Sequence, residues 1–318
     1  MIPVVVLNMH YSGLGIARSL APHGVPVFGL SSSRGFPGNR SRYCTYVPSP
    51  DSLLEPDSLC EFLLRFADRC ADRPILLPTR DHDIEFLLRH RDVLEQKFRV
   101  PLAPTPVVEA AMNKDACFEV AARCGISLPR TFTVRDSAAL RELEGRLAFP
   151  VMVKPLYARE WRRPGVWERV GQQKAAMIGD FGSLLRFYAA IEEVAPVANV
   201  QEYIPGGDEQ LLVFGSYCRP GGLVRAYFTG RKLLQSPPLK GTGLVVEGRP
   251  IDTIVDQSRT LLRALEFSGI SEVEFKVHAA TGVPYLIEVN PRHWDQHHLG
   301  TVCGVNLSLE LYRDVAEP

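Results

Sequence analysis

The stretch Ser271-Glu-Val-Glu-Phe-Lys-Val-His-Ala-Ala-Thr-Gly-Val-Pro-Tyr-Leu-Ile-Glu-Val-Asn-Pro-Arg292 alternates apolar and polar side chains on both sides of a turn signal, Thr281-Gly282. Glycine supplies the positive φ that a short hairpin loop needs. A hairpin centred on Thr281 pairs Val273 with Val289, Phe275 with Ile287 and Val277 with Tyr285. All six are apolar, which sets the register, because a slip of one residue would expose them. The opposite face then pairs Glu274 with Glu288, with Asn290 two residues on and facing the same way. Like charges directly opposite on a sheet are destabilising. Three readings follow: an open solvated surface, a protonated carboxyl, or a divalent cation between the carboxylates. Two carboxylates and an amide carbonyl are hard oxygen donors suited to Mg²⁺ or Mn²⁺ together with phosphate oxygens. Arg292, just past Pro291, is a candidate phosphate contact.

Upstream of the hairpin the chain reads as α/β. Ile2–Leu7 is a continuous apolar run, as expected of a buried parallel strand. Val25–Leu30 and Ile75–Leu77 read as further strands, Leu59–Ala67 and Asp81–Phe98 as helices, and the alternation predicts a doubly wound parallel sheet. Ser12-Gly-Leu-Gly15 after the first strand is an incomplete dinucleotide fingerprint. It lacks the third glycine, and Ser31-Ser-Ser33 stands where an acidic ribose partner belongs. Pro101, Pro104 and Pro106 punctuate a boundary. A helical pair follows, Val107–Met112 and Asp115–Cys124, with Asn113 as its cap. Pro150–Pro155 is a short strand containing Lys154, 156–173 is irregular and rich in arginine and tryptophan, and Phe181–Val194 is a helix. Val197–Ile204, Glu209–Cys218 and Leu223–Thr229 read as antiparallel strands. The expected units are 1–106, 107–196 and 197–318.

Composition narrows the function classes. The 318 residues carry 36 Lys+Arg against 36 Asp+Glu. That balance argues against nucleic acid or an anionic membrane bound through bulk charge. No apolar run reaches the ~20 residues of a membrane span. The start runs straight into a strand without a basic leader, so a cytoplasmic location is expected. The seven cysteines are scattered, with no Cys-x-x-Cys pair, as expected of core residues in a reducing compartment. Lysine is scarce, occurring at 97, 114, 154, 174, 232, 240 and 276. Where arginine is the habitual cation, a lysine marks a place that wants a compact ammonium.

The order Lys114, Lys154, Gln201-Glu202-Tyr203-Ile204, Glu209, Glu274, Glu288-Val-Asn290-Pro-Arg292 resembles the ATP-grasp superfamily, which includes D-alanine–D-alanine ligase, biotin carboxylase and the carbamoyl-phosphate synthetase large chain. The overall look is closest to carboxylate–amine ligases of the D-aspartate ligase type. The resemblance implies an ATP-grasp fold preceded by the parallel-sheet domain, with a small lid-bearing subdomain and a C-terminal metal-bearing one. It implies ATP as a ligand, phosphate contacts from Lys114 and Lys154, and adenine contacts from the backbone of Gln201, Glu202, Tyr203 and Ile204. It further implies that Glu209 accepts from the ribose and that Mg²⁺ (or Mn²⁺) sits on Glu274, Glu288 and Asn290. The same resemblance implies a phosphate contact from Arg292 and makes Arg231 a candidate for stabilising an acyl phosphate. Gln235–Pro238 and Gly241–Gly243 fit the same subgroup, and Arg42 and Asp81 fall where it lines the interdomain cleft. The lid departs from the superfamily pattern: arginines 159, 162, 163 and 169 replace a glycine-rich loop. Relatives often continue beyond the equivalent of Pro318, so a further C-terminal element is compatible with the pattern.

The implied activity joins a carboxylate to an amine through an acyl phosphate, with small, amino-acid-like substrates and no nucleic-acid or membrane partner. A homodimer is compatible with it. Asp295 and His293 lie near the metal strand as candidate bases. The alternatives are an ATP-grasp phosphotransferase, a catalytically silent nucleotide-binding module, a nicotinamide-linked oxidoreductase on the first sheet, and a zinc hydrolase using His293, His297 and His298. The sequence lacks the His-Glu-x-x-His that would favour the last.

Overall fold

The computed structural model describes residues 1–163 and 165–317, and its backbone forms three sheets. The first is parallel: β1 (Val4–Leu7), β2 (Val27–Ser31), β3 (Thr45–Pro48) and β4 (Ile75–Leu77), ordered β3-β2-β1-β4. The continuous apolar run of β1 has its reason here, since both faces of the sheet are covered. Val5 and Leu7 face one core with Leu59, Leu63, Phe86 and Phe98, whereas Val4 and Val6 face another with Ile16, Leu20, Leu307 and Tyr312. The second face is therefore closed in part by the helix Leu307–Ala316. Tyr312 donates to the Ile2 carbonyl at 3.2 Å and Arg99 to the Val315 carbonyl at 2.5 Å.

The second sheet, β5 (Thr131–Val134), β6 (Val151–Pro155), β7 (Ala176–Ile178) and β8 (Ala198–Glu202), is antiparallel in the order β5-β8-β6-β7. The third is also antiparallel: β9 (Leu211–Arg219), β10 (Leu223–Ser236), β11 (Thr242–Gly248), β12 (Gly269–Val277) and β13 (Pro284–Asn290), ordered β11-β10-β9-β12-β13. β8 pairs inside the second sheet, beyond the boundary expected after residue 196. The helices Thr105–Met112 and Lys114–Arg123 pack on the third sheet through Val108, Ala111 and Phe118. The cores thus interleave segments that the sequence order separates.

Several elements differ from expectation for local reasons. The helix expected over Asp81–Phe98 breaks at His90 into Asp81–Arg89 and Arg91–Leu94. The 156–173 stretch holds two short helices, Ala158–Trp161 and Val166–Arg169, anchored by the fully buried Trp161 ring against Phe187. The side chain of Arg159, one of the lid arginines, and Pro164 lie outside the described residues. Ser12–Gly15 falls inside the helix Tyr11–Leu20 and forms no loop. A Cβ on Gly13 would stand 2.3 Å from the Asn8 carbonyl, and one on Gly15 2.6 Å from the His297 ring. These glycines serve close packing. No helix among the described residues is long and apolar enough to cross a membrane.

His293 and His297 are buried edge-to-face with ring centroids 4.7 Å apart, and they do not converge on a shared centre. His297 Nδ1 lies 2.7 Å from the Trp294 carbonyl and His293 Nε2 3.0 Å from Ser308 Oγ.

Two predictions follow from this packing. Gly15→Ala is favourable by ~1 kcal/mol on helix propensity alone, yet the His297 contact reverses the sign. It is expected to lower the urea midpoint by the equivalent of about 1–3 kcal/mol, and much of that loss disappears in a His297→Ala background. The second concerns acid. Burial holds His297 down to about 4 and His293 well below its ordinary value. Unfolded, both titrate near ~6.5, so below that pH the unfolded chain binds more protons. Stability is full above that value and falls as pH drops towards 4, by about 3 kcal/mol for His297 alone. Denaturant titrations at pH 7 and pH 5 check this.

Candidate nucleotide and metal site

Alternation along β12 builds the floor of the site. Val273 and Phe275 point into the core with Val289 and Leu286. Glu272, Glu274 and Lys276 face the other way into a cavity of about 470 Å³, and all three are buried. The β12–β13 pairing joins Glu272 to Asn290, Val273 to Val289 and Glu274 to Glu288, as the hairpin reading requires. Beyond Glu274 the register shifts by one. Phe275 pairs with Leu286 where Ile287 was expected, and Lys276 pairs with Tyr285. The extra residue, Ile287, turns into the cavity while Leu286 fills the core. This β-bulge gives the cavity an apolar wall without opening the core.

Cations surround the acidic floor. Lys232 Nζ lies 2.7 Å from Glu274 Oε1, both buried. Burial works against the Lys232 ammonium, but Glu274 and Glu272 outweigh it and hold its pKa above the ordinary lysine value. Burial likewise opposes the Glu288 charge, yet Lys114, Lys154 and Lys232 bring its pKa down to about 2. Glu272 goes the other way: burial, then the neighbouring Glu274 charge, pushes it up to about 8. Asn290 Nδ2 donates to Glu272 Oε2 at 3.0 Å and Glu288 Oε1 at 3.2 Å. Its carbonyl oxygen lies 3.4 Å from Arg292 Nη2. Arg292 Nε pairs with Asp81 Oδ1 at 2.5 Å, tying the end of the hairpin to the first sheet's side of the cavity. Burial lowers Lys154 to about 8, with Glu288 acting against that shift. The Lys154 ammonium donates to Gln201 Oε1 at 2.8 Å. Lys114 opens its helix, and the Asn113 side chain caps it by accepting from Asp115 N and Ala116 N.

Among the described residues no group of three His, Cys, Asp or Glu side chains is arranged to hold a metal unaided. The donors nevertheless fit magnesium. Glu274, Glu288 and the Asn290 carbonyl are hard oxygens, and such a site is completed by water and phosphate oxygens. Glu272, buried beside Glu274 and bonded by the Asn290 side chain, belongs to the same set of oxygen donors.

Of the residues singled out in the sequence, Lys114, Lys154, Gln201, Glu202, Tyr203, Ile204, Glu274, Glu288, Asn290, Arg292 and Asp81 all line this one cavity. Three do not. Glu209 is exposed, on the turn Asp208–Gln210, and outside the lining. Arg231 sits on the outer face of β10, paired with Glu247 at 2.8 Å. Strand alternation sends its neighbour Lys232 inwards in its place. Arg42 lines a separate groove. Glu272 and Lys232 carried no assigned role in the sequence reading. The available signals were the even-numbered face of β12 for the first and the scarcity of lysine for the second, since six of the seven lysines line the cavity.

Residues 173–174, at the end of the arginine-rich stretch, are joined to β11 and the loop before it. Lys174 donates to Thr242 Oγ1 and Lys240 to Gln173 Oε1, each at 2.6 Å.

No family model matches the chain. It is similar to solved structures across its whole length. With the L-amino acid ligase from Bacillus licheniformis it shares a TM-score of 0.70 at 17% identity, covering 100% of this chain and 75% of that one. This is the ATP-grasp fold. The biotin carboxylase domain of the Hydrogenobacter thermophilus 2-oxoglutarate carboxylase, solved as a dimer with MgADP, ADP and bicarbonate, gives a TM-score of 0.72 at 15% identity over 100% of this chain and 70% of that one. In sequence, the chain is 26% identical over 261 residues to the D-aspartate ligase of Enterococcus faecium (strain Aus0004), covering 78% of this chain. It spans 61% of that ligase's length.

The two neighbours on β10 separate by mutation. Arg231→Met breaks a partly exposed pair and is expected to change stability by no more than ~1 kcal/mol. Lys232→Met strands a buried carboxylate and is expected to cost about 3–5 kcal/mol. Urea denaturation of the two variants checks the difference.

Proposed function

We propose that this ATP-grasp chain is an ATP-dependent carboxylate–amine ligase that forms an amide through an acyl phosphate and releases ADP and phosphate. The observation that carries the reading is the convergence of Glu274, Glu288 and Asn290 with Lys114, Lys154, Lys232 and Arg292 around one cavity. Carboxylates there want a cation, and the cations beside them want phosphate. Similarity to the D-aspartate ligase supports the ligase class.

A carboxylate is a poor acyl donor because its leaving group would be oxide. Transfer of the γ-phosphoryl group gives it a good one, and the attacking amine then expels phosphate. Phosphoryl transfer is mainly positioning and charge neutralisation. Glu274, Glu288 and Asn290 would hold Mg²⁺ or Mn²⁺, which supplies charge neutralisation at the β- and γ-phosphates when bound. Lys114 and Lys154 would bind the phosphate tail, with Gln201 fixing the Lys154 ammonium from behind. The segment Glu202–Ile204 would line the adenine end. Arg292, aligned by Asp81, would face the transferring group. An acyl phosphate hydrolyses in water, so the site must close. The Lys174–Thr242 and Lys240–Gln173 contacts are those of a lid seated on the β10–β11 loop.

The same cavity offers groups that suit a zwitterion. Arg162, which has no acidic partner among the described residues, and Asp295, which accepts from Ser12 Oγ at 2.8 Å, line it together. We infer small amino-acid-like substrates there. All seven cysteines are free, which supports a reducing, cytoplasmic setting.

The test is ADP release with Mg²⁺ across a panel of amino acids and small acids. ADP and free phosphate should form only when both an amine and a carboxylate are present. Glu288→Gln should lower the rate by about 10²-fold or more. Undiminished activity in that variant, or a phosphoryl group retained on a hydroxyl product, would overturn the assignment.

A further inference from the structure

A second cavity stands apart from the nucleotide site. It is a groove of about 680 Å³ whose polar lining comes from Arg18, Arg40, Ser41, Arg42, Tyr43 and His298. No carboxylate is among its lining residues. Neither Arg18 nor Arg40 has a hydrogen-bond or ion-pair partner among the described residues. Arg42 donates only to the Tyr43 hydroxyl, at 3.1 Å, and lies 5.1 Å over that ring. The arginines act on one space: the hydrogen bond and charge of Arg42, with the more distant charge of Arg18, lower the Tyr43 pKa. In a chain with equal numbers of acidic and basic residues, this is a local surplus of positive charge.

The walls are built rather than loose. The turn Pro37–Arg40 is clamped by Gly38, whose N–H donates to the Met9 carbonyl at 2.9 Å and whose Cβ, if present, would stand 2.6 Å from the same oxygen. Cys44 Sγ reaches the Gly38 carbonyl at 3.3 Å. On the other wall, Ser19 Oγ lies 3.0 Å from His298 Nδ1 and 2.9 Å from Thr301 Oγ1. That fixes the ring and leaves Nε2 as its free nitrogen. The helix Tyr11–Leu20 and residues 36–37 divide the two spaces. Ser12 and Phe36 line the nucleotide cavity, whereas Leu14, Arg18 and Pro37 line the groove.

We propose that this groove is a second anion-binding site, for a phosphate-bearing small molecule with more than one negative charge. Planar guanidinium forks match phosphate oxygens two at a time, and Ser41, Tyr43 and His298 add neutral donors. The confined lining and zero net charge of the chain argue against an extended polyanion. The proposal is independent of the ligase reading.

Inorganic pyrophosphate, titrated calorimetrically into the whole 318-residue chain without magnesium, tests it. Saturable binding should persist in Lys154→Gln, which alters only the nucleotide cavity. It should weaken by about 10-fold or more in Arg40→Gln and also in Arg42→Lys, which keeps the charge but loses the fork. These side chains are exposed, so melting temperatures should not change. If Arg42→Lys binds like wild type, the groove is only a diffuse field and the proposal fails. It fails equally if wild type binds no pyrophosphate at millimolar concentration, or if Lys154→Gln alone abolishes binding. Two supporting outcomes identify the source of the anion. Inhibition of ADP release that vanishes in Arg40→Gln assigns the groove to the phosphate of a cavity substrate. Binding without inhibition assigns it to a separate ligand.

Discussion

Three carboxylates gathered on one face of a β-hairpin, two of them buried and the third, Glu288, half-buried beside them, are the constraint around which the molecule is arranged. An ionised carboxylate in a low-dielectric interior is tolerated only when paired and hydrogen-bonded. Here the compensation comes from four separate places. Lys114 stands at a helix start, Lys154 near the end of β6, Lys232 on β10 and Arg292 just beyond β13. None of these segments can drift far without stranding acid. The second sheet, which brings Lys154, is thereby coupled to the third, which brings the glutamates. Arg292 extends the coupling through Asp81 to the first.

The same constraint explains why neighbouring residues have opposite fates. Arg231 and Lys232 are adjacent cations, yet one makes a half-exposed pair with Glu247 and the other is sealed against Glu274. Strand geometry alone divides them. A compact ammonium fits a narrow space between carboxylates that a planar guanidinium would not fill well. The concentration of lysine in the cavity of an arginine-rich chain follows from this.

Much of this was legible in the sequence because it rests on alternation. The acidic face of the last hairpin, the register of its upper half and the parallel first sheet follow from which positions are apolar. What escaped has identifiable causes. The bulge at Ile287 is invisible to a period-two pattern, since Leu286 and Ile287 are equally apolar. Arg231 was assigned by position along the chain, which does not say which way a strand points a side chain. Glu209 was placed by spacing from Glu202, but the turn Asp208–Gln210 directs Asp208 inwards, onto Gln235 and Leu239, and leaves Glu209 outside. Ser12-Gly-Leu-Gly15 looked like a phosphate loop because small residues serve both phosphate approach and tight helix packing.

The cover over β1 has a consequence for how this protein comes into being. One face of that strand, Val4 and Val6, is shielded partly by Leu307 and Tyr312. Translation at ~5–20 residues per second leaves that face covered only by nearby residues such as Ile16 and Leu20 for on the order of tens of seconds. Part of the cover over β1 thus waits for a segment far along the chain, the helix Leu307–Ala316. The core on that side of the first sheet is therefore complete only once the helix Leu307–Ala316 has docked.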